Sequence, residues 1–183
     1  MKKTIIYTDG SSRGNPGPGG WGAIVISKFK SQISNPKDEH SVSKSQISDQ
    51  GSEQWVKELG GREENTTNNR MEMKAVIEGL KSTIENSLVE IHADSEYVIK
   101  GATEWIHNWQ KNNWRTKAKK DVLNKDLWLA LLKEMGVRKV SWNKVLGHSG
   151  HRENERCDQI ATSMADNASI DLYEGPESGY KIT

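Results

Sequence analysis

The sequence lacks the features of several protein classes. Cys157 is its only cysteine, so it cannot form an internal disulfide, and a reducing cytosol is the expected compartment. No apolar run approaches the length of a membrane span, and Asp9 interrupts the short apolar stretch near the N-terminus before it could serve as a signal peptide. We therefore expect a soluble, cytoplasmic protein that has no membrane partner.

The sequence also lacks an excess of charge of either sign. The 26 basic and 25 acidic residues leave a formal net charge of +1. Global charge therefore favours no particular partner, and any contact with nucleic acid must come from a local basic patch. Nothing in the sequence signals an oligomer, and we expect a monomer.

The length of 183 residues fits one domain that can bury a sizeable core. We place this domain at 1–168 and a polar, peripheral tail at 169–183. A Ser-rich stretch at about 27–54 has few large apolar residues and contains the pentapeptide KSQIS twice. This composition indicates a surface insertion, which we expect to have no catalytic role.

Hydrophobic periodicity predicts an α/β fold. In chain order, three strands precede a helix, a strand, three helical stretches, a strand and a last helix. This order predicts a mixed sheet flanked by helices. The predicted strands are 3–8, 21–26, 55–59, 88–93 and 137–146, and the predicted helices are 69–84, 95–100, 102–111, 123–135 and 153–167.

A glycine-rich loop, YTDGSSRGNPGPGGWG at 7–22, follows the first strand. It lacks the Lys-Ser/Thr ending of a phosphate-binding P-loop, and a strand rather than a helix follows it. The glycines are therefore expected to turn the chain and to allow close approach of another backbone. Within this loop the chemistry is left to Asp9.

Four carboxylates are candidates for a metal site. Asp9 and Asp94 each follow a predicted strand directly, Glu72 lies in the first turn of a helix, and Asp158 lies beside the buried stripe of the last helix. Taken singly, each is equally typical of a turn, a cap or a solvated helix position. If they converge, an all-oxygen set suits Mg²⁺ or Mn²⁺, and two such ions catalyse phosphodiester displacement.

Five motifs occur in order along the chain: YTDGSSRGNPGPGGWGA, NTTNNRMEM, HADSEYV, WIHNWQKNNWRT and VLGHSGHRENERCDQIA. Together they closely resemble the type 1 ribonuclease H family, endonucleases that cut the RNA strand of RNA–DNA hybrids. The resemblance implies a ribonuclease H-like fold with a five-stranded mixed sheet of order 3-2-1-4-5. It also implies products with 5′-phosphate and 3′-hydroxyl ends.

The resemblance also implies the catalytic residues. Asp9, Glu72, Asp94 and Asp158 would be the metal-binding carboxylates for two Mg²⁺ ions, with Mn²⁺ as a possible substitute. His148 matches the family's loop histidine, which is thought to assist proton transfer or product release. A histidine in a loop flanked by glycines suits that task.

The segment from Trp105 to Lys120 contains three tryptophans and five basic residues but no acidic residue. Basic side chains neutralise phosphates and aromatic rings stack on bases, although Trp105 and Trp109, at helical spacing, are equally explained as packing residues. In the family this segment is the protrusion that grips the DNA strand. The substrate-binding residues that the resemblance implies there and nearby are Tyr97, Trp105, Trp109, Trp114 and Lys117, with Thr67 and Asn124 in a pocket for a DNA phosphate.

Three asparagines, Asn15, Asn68 and Asn69, match the family's readers of the minor groove of the hybrid. An amide both donates and accepts hydrogen bonds, as a ribose 2′-hydroxyl does. Two departures from the family pattern are Asn65, where some members carry Arg, and Glu96, where a close relative often has Gln. Two alternatives stay open: a related carboxylate nuclease acting on DNA, and a non-catalytic module that binds hybrids.

Overall fold

The structure, a computed structural model, describes residues 3–30, 52–146 and 151–182. The strands are β1 (Lys3–Ser12), β2 (Gly17–Lys30), β3 (Ser52–Thr66), β4 (Leu88–Ala93), β5 (Lys139–Lys144) and β6 (Glu174–Pro176). The helices are α1 (Asn68–Lys81), α2 (Glu96–Lys100), α3 (Ile106–Lys111), α4 (Lys125–Gly136) and α5 (Arg152–Ala165). A π-helical turn, Gly101–Trp105, joins α2 to α3, and a 3-10 turn, Glu177–Gly179, follows β6.

The strands form one mixed sheet in the order β5-β4-β1-β2-β3-β6. β1 pairs antiparallel with β2 and parallel with β4, and β5 continues the parallel side. The predicted order 3-2-1-4-5 is thus confirmed for the first five strands. The predicted number of strands is wrong, because β6 pairs antiparallel with β3 and adds a sixth.

Helices cover both faces of the sheet. Val25 on β2 packs in the same buried cluster as Met73 and Leu80 of α1, whereas its neighbour Ile24 packs with Cys157 of α5. Because successive side chains of a strand point to opposite faces, α1 and α5 lie on opposite sides of the sheet. Among the described residues, no helix is both long and apolar enough to cross a membrane.

The tail that was expected to be peripheral is held in the sheet by a buried carboxylate. Glu58 accepts hydrogen bonds of 2.8 and 2.9 Å from the Arg156 guanidinium, 2.7 Å from the Tyr180 hydroxyl and 3.0 Å from the Tyr173 backbone N–H. Burial acts to raise the pKa of Glu58, but these donors outweigh it and hold the pKa below its usual value.

The strands β2 and β3 reach into the predicted insertion at about 27–54. Residues 27–30 and 52–54 are strand residues. Their antiparallel pairing runs from Ser27 opposite Trp55 to Lys30 opposite Ser52. Both ends of the predicted insertion therefore belong to the sheet, and the bounds of the inserted segment stay a prediction. The rest of that stretch, 31–51, lies outside the described residues.

Candidate active site

Three of the four predicted carboxylates meet at one edge of the sheet. Asp9 lies on β1, Asp94 follows β4, and Glu72 lies near the start of α1. Thr8 is paired with Ala93 in the parallel ladder, so the next residues of the two chains, Asp9 and Asp94, lie side by side. One carboxylate oxygen from each of the three residues lies within 4.8 Å of the corresponding oxygens of the other two. The structure therefore supports the convergence that the sequence could not establish.

Burial and the repulsion of neighbouring charges raise the pKa of two of these carboxylates, Asp9 and Glu72. Asp9 is 8 % exposed and Glu72 is 6 % exposed. Loss of solvent, followed by the charges of Asp94 and Asp158, raises the pKa of Asp9 to about 7. Loss of solvent and the charge of Asp9 likewise raise the pKa of Glu72 well above its ordinary value.

The cluster has the chemistry of a site for a hard divalent cation. The Oε2 atom of Glu72 is buried and has no hydrogen-bond partner among the described residues. A buried carboxylate oxygen without a partner is costly unless a cation or a proton satisfies it. Carboxylate oxygens alone suit Mg²⁺ or Mn²⁺ rather than softer ions. The residues present therefore fit a metal of this class.

Asp158 stands apart from the three. It lies on α5, and its carboxylate does not join the group whose oxygens are within 4.8 Å of one another. Its charge nevertheless helps to raise the pKa of both Asp9 and Glu72, so it lies within electrostatic range of the cluster. Thr162 donates a hydrogen bond of 3.4 Å to its Oδ1. A role for Asp158 as a metal ligand stays a prediction.

His148, the predicted proton-transfer residue, falls outside the described residues, which omit 147–150. Its role also stays a prediction. The described residues just before this segment lie beside the end of β4. β5 ends at Lys144, and the Val145 N–H donates a hydrogen bond of 3.0 Å to the Ala93 carbonyl.

The predicted aromatic residues form a continuous row of rings. Tyr97 contacts Trp105 at a centroid distance of 6.0 Å, Trp105 contacts Trp109 at 5.7 Å, and Trp109 contacts Trp114 at 6.5 Å. Trp128 of α4 is fully buried beneath them, 5.4 Å from both Tyr97 and Trp109. The four upper rings are half-buried, so they both pack on the core and present a face to solvent.

The sequence reading missed Trp128, which supports this row. It lies between Leu127 and Leu131 on α4, and all three are buried. The alternation of apolar residues at helical spacing on α4 could have indicated it as a core residue. Gly101 makes room for it, because a Cβ there would lie 2.0 Å from the Trp128 ring.

A chain of hydrogen bonds joins the predicted phosphate pocket to the aromatic row. Asn124 donates a bond of 3.1 Å to the Tyr97 hydroxyl and accepts one of 3.4 Å from Arg70. Arg70 also forms two bonds, of 3.0 and 2.7 Å, with Asp126. Thr67 caps α1 by accepting a bond from the Arg70 backbone N–H. Thr67 and Asn124 are thus linked through Arg70, a residue that the sequence reading missed.

The remaining predicted substrate-binding residues point outward. Asn15 is exposed in the turn between β1 and β2, Asn68 and Asn69 are exposed in the first turn of α1, and Lys117 is exposed beyond α3. Their exposure is compatible with contact to a large ligand. Their roles stay predictions.

Comparison with known proteins agrees with this geometry. The sequence matches the family described as RNase H over residues 1–166. It is 44% identical over 167 residues to ribonuclease H of Erythrobacter litoralis (strain HTCC2594), covering 91% of this chain and 98% of that protein. It is 47% identical over 167 residues to ribonuclease H of Psychromonas ingrahamii (strain DSM 17664 / CCUG 51855 / 37), covering 91% and 93% of the two chains.

Solved structures resemble the fold as well. LC9-RNase H1, a type 1 RNase H with the type 2 active-site motif, aligns with a TM-score of 0.73 at 26% identity, covering 96% of this chain and 78% of that one. LC11-RNase H1, solved in complex with RNA/DNA hybrid, aligns with a TM-score of 0.53 at 20% identity, covering 90% and 97%. The second likeness shows the fold alone.

Proposed function

Because the chain belongs to the RNase H family, we propose that it is an endonuclease that hydrolyses the RNA strand of RNA–DNA hybrids and leaves 5′-phosphate and 3′-hydroxyl ends. The observation that carries this proposal is the cluster of Asp9, Glu72 and Asp94, each of which offers one oxygen within 4.8 Å of the others. These are three of the four carboxylates that the resemblance to the family implies as metal ligands.

We propose that this cluster, together with Asp158, holds two Mg²⁺ ions. Such ions, when bound, activate a water molecule and neutralise charge on the departing 3′ oxygen. The protein's own contribution is a set of carboxylates of which two, Asp9 and Glu72, are buried. The Asp9 carboxylate is oriented by a 2.7 Å hydrogen bond from the Gly10 N–H, and the Glu72 carboxylate presents an oxygen that has no hydrogen-bond partner in the described part of the chain. His148 would carry a proton near the leaving group.

Substrate selection is proposed to come from two surfaces. Asn15, Asn68 and Asn69 would read the 2′-hydroxyl groups of the RNA strand in the minor groove. The aromatic row and Lys117 would hold the DNA strand, and Thr67 and Asn124 would bind one of its phosphates. Requiring ribose on one strand and deoxyribose on the other selects a hybrid duplex.

The experiment that tests the function compares three duplexes of one sequence: an RNA–DNA hybrid, duplex DNA and duplex RNA, each labelled on one strand. With Mg²⁺ present, the proposal expects cleavage of the RNA strand of the hybrid alone. Cleavage of duplex DNA would favour the related DNA nuclease. Tight binding of the hybrid without cleavage in Mg²⁺ or Mn²⁺ would favour the non-catalytic module.

A further inference from the structure

A small cluster of opposite charges lies next to the metal carboxylates. Glu96, in the first turn of α2, accepts hydrogen bonds from two lysines. The Oε1 atom of Glu96 accepts one from Lys144, and its Oε2 atom accepts one of 3.1 Å from Lys100. Glu96 is the residue at which the sequence departs from a close relative, which often has Gln. The structure shows that Glu96 forms an ion pair with a residue of another element, Lys144 of β5.

The backbone places Lys144 at the same sheet edge as the catalytic cluster. Lys144 is the last residue of β5 and is paired with Ala93, which directly precedes Asp94. β1, β4 and β5 run parallel, so their C-terminal ends meet at one edge. Asp94 therefore lies between Asp9 on one side and Val145, the residue after Lys144, on the other.

Structural stability gives little reason for these ion pairs. The side chains of Glu96, Lys100 and Lys144 are 55%, 47% and 49% exposed. Ion pairs between exposed side chains contribute about 0–1 kcal/mol. One carboxylate shared by two ammonium groups also leaves one positive charge unmatched beside the metal cluster. Because Lys144 is exposed, its ammonium group can leave the Glu96 carboxylate and pair with another anion.

We propose that Lys144 is a substrate-binding residue that contacts a backbone phosphate of the strand being cut, and that Glu96 competes with that phosphate for the Lys144 ammonium group. This inference rests on the proposed function. On the proposed function, the strand that is cut passes over Asp9 and Asp94. Because Lys144 is paired with Ala93, one residue before Asp94, we expect a phosphate flanking the cleaved bond to be the anion that Lys144 meets. Displacing Glu96 from Lys144 leaves Glu96 paired with Lys100.

The proposal predicts opposite effects for the two partners. Lys144→Ala removes one phosphate contact, so hybrid affinity falls and the slope of log affinity against log salt concentration becomes shallower by about one. Glu96→Gln removes the competitor, so hybrid affinity rises at low salt. A purely structural ion pair would instead give both variants the same small loss of melting temperature and the same hybrid affinity as the parent.

The test uses the full chain carrying Asp9→Asn, which prevents cleavage, and measures binding of a fluorescent RNA–DNA hybrid by anisotropy at several salt concentrations. Lys144→Ala and Glu96→Gln are added singly. The matched control is Lys81→Ala, which breaks a similar exposed pair, with Glu78, at the far end of α1. Its salt slope is expected to equal that of the parent. Thermal melts establish that every variant is folded.

The outcomes separate this inference from the function on which it rests. A shallower slope for Lys144→Ala together with tighter binding for Glu96→Gln supports it. Parental slopes and affinities in both variants, in a protein that binds the hybrid, would overturn this inference alone. Failure of the parent to bind the hybrid in preference to duplex DNA would overturn the proposed function, and this inference with it.

Discussion

Gly10 packs directly against the backbone of Glu72. A Cβ added to Gly10 would lie 2.2 Å from the Glu72 nitrogen and 2.5 Å from the Met71 carbonyl carbon. No side chain can be accommodated at that distance, so β1 and α1 touch through their backbones. This contact brings the carboxylate of Glu72 to that of Asp9, one residue before Gly10 in the chain.

Gly10→Ala is therefore expected to disable the site. The methyl group forces α1 away from β1, and a displacement of about 1 Å at a catalytic group costs roughly 100-fold in rate. Overpacking should also lower the free energy of unfolding by about 1–3 kcal/mol. Single-turnover cleavage of a hybrid and urea denaturation measure the two effects.

Gly136→Ala, the matched control for Gly10→Ala, places a methyl group at the end of α4, where the described structure has no atom within 4 Å of it apart from its chain neighbours and the backbone of its own helix. It should leave the cleavage rate unchanged. Its free energy of unfolding should stay equal or rise by up to about 1 kcal/mol. Equal activity of the two alanine variants would contradict the role given to the Gly10 contact.

The raised pKa of Asp9 predicts how stability depends on pH. The pKa of Asp9 is about 7 in the folded protein and 3.8 in its ordinary state. Between these values the folded protein, without metal, holds a proton that the unfolded chain has lost, so its stability falls as pH rises. Asp9→Asn should flatten this part of the profile, as followed by thermal unfolding in EDTA.

Metal binding should have the opposite dependence on pH. Mg²⁺ binds the ionised carboxylates, so it competes with protons on Asp9 and Glu72. The rise in melting temperature caused by a fixed Mg²⁺ concentration should grow as pH increases through about 7. The same Mg²⁺-induced rise at about pH 5.5 and about pH 8.5, which lie on either side of that pKa, would contradict this prediction.

The Glu58 network should be a major source of stability. The side chains of Glu58 and Arg156 are 1% and 13% exposed, so Arg156→Ala leaves a buried carboxylate without its cation. Breaking such a pair costs about 3–5 kcal/mol. Lys57→Ala breaks the exposed pair with Glu174 and should cost less than about 1 kcal/mol. Similar losses in urea denaturation would contradict this account of the tail.

The exposed faces of the aromatic row should contribute to binding. Trp105→Ala removes a half-buried ring and should weaken hybrid binding by about 1–3 kcal/mol, because a stacked base or sugar loses its platform. Trp55, on β3, is 37% exposed and serves as the control, since Trp55→Ala should leave hybrid affinity unchanged. Equal affinity of the two variants, measured by anisotropy, would contradict the role of Trp105.

The elements that the sequence predicted well are those set by local patterns. The buried stripe of α1 and the strand before Asp94 follow from apolar periodicity, and the motifs indicated Asp9, Glu72 and Asp94 before their distances were known. The sequence did not indicate β6, because the tail is polar and short. Its attachment depends on Glu58 and Tyr180, which are 122 residues apart.

Two other features depended on side-chain contacts between distant elements. Arg70 is linked to Asn124 across 54 residues, and Lys144 is paired with Glu96 across 48 residues. No local pattern signals such polar pairs. The unusual residue at Glu96 was visible in the sequence, but only the fold shows that it meets Lys144 of β5 as well as its helical neighbour Lys100.

The central claim is that the Asp9 cluster performs metal-dependent cleavage of an RNA strand. The most direct measurement is the single-turnover rate at which the protein and its Asp9→Asn variant cut the labelled RNA of a hybrid, with Mg²⁺ and with EDTA. We predict cleavage only by the unaltered protein and only with Mg²⁺, while the variant still binds the hybrid. Cleavage by Asp9→Asn at a rate near that of the unaltered protein, or undiminished cleavage in EDTA, would contradict the claim.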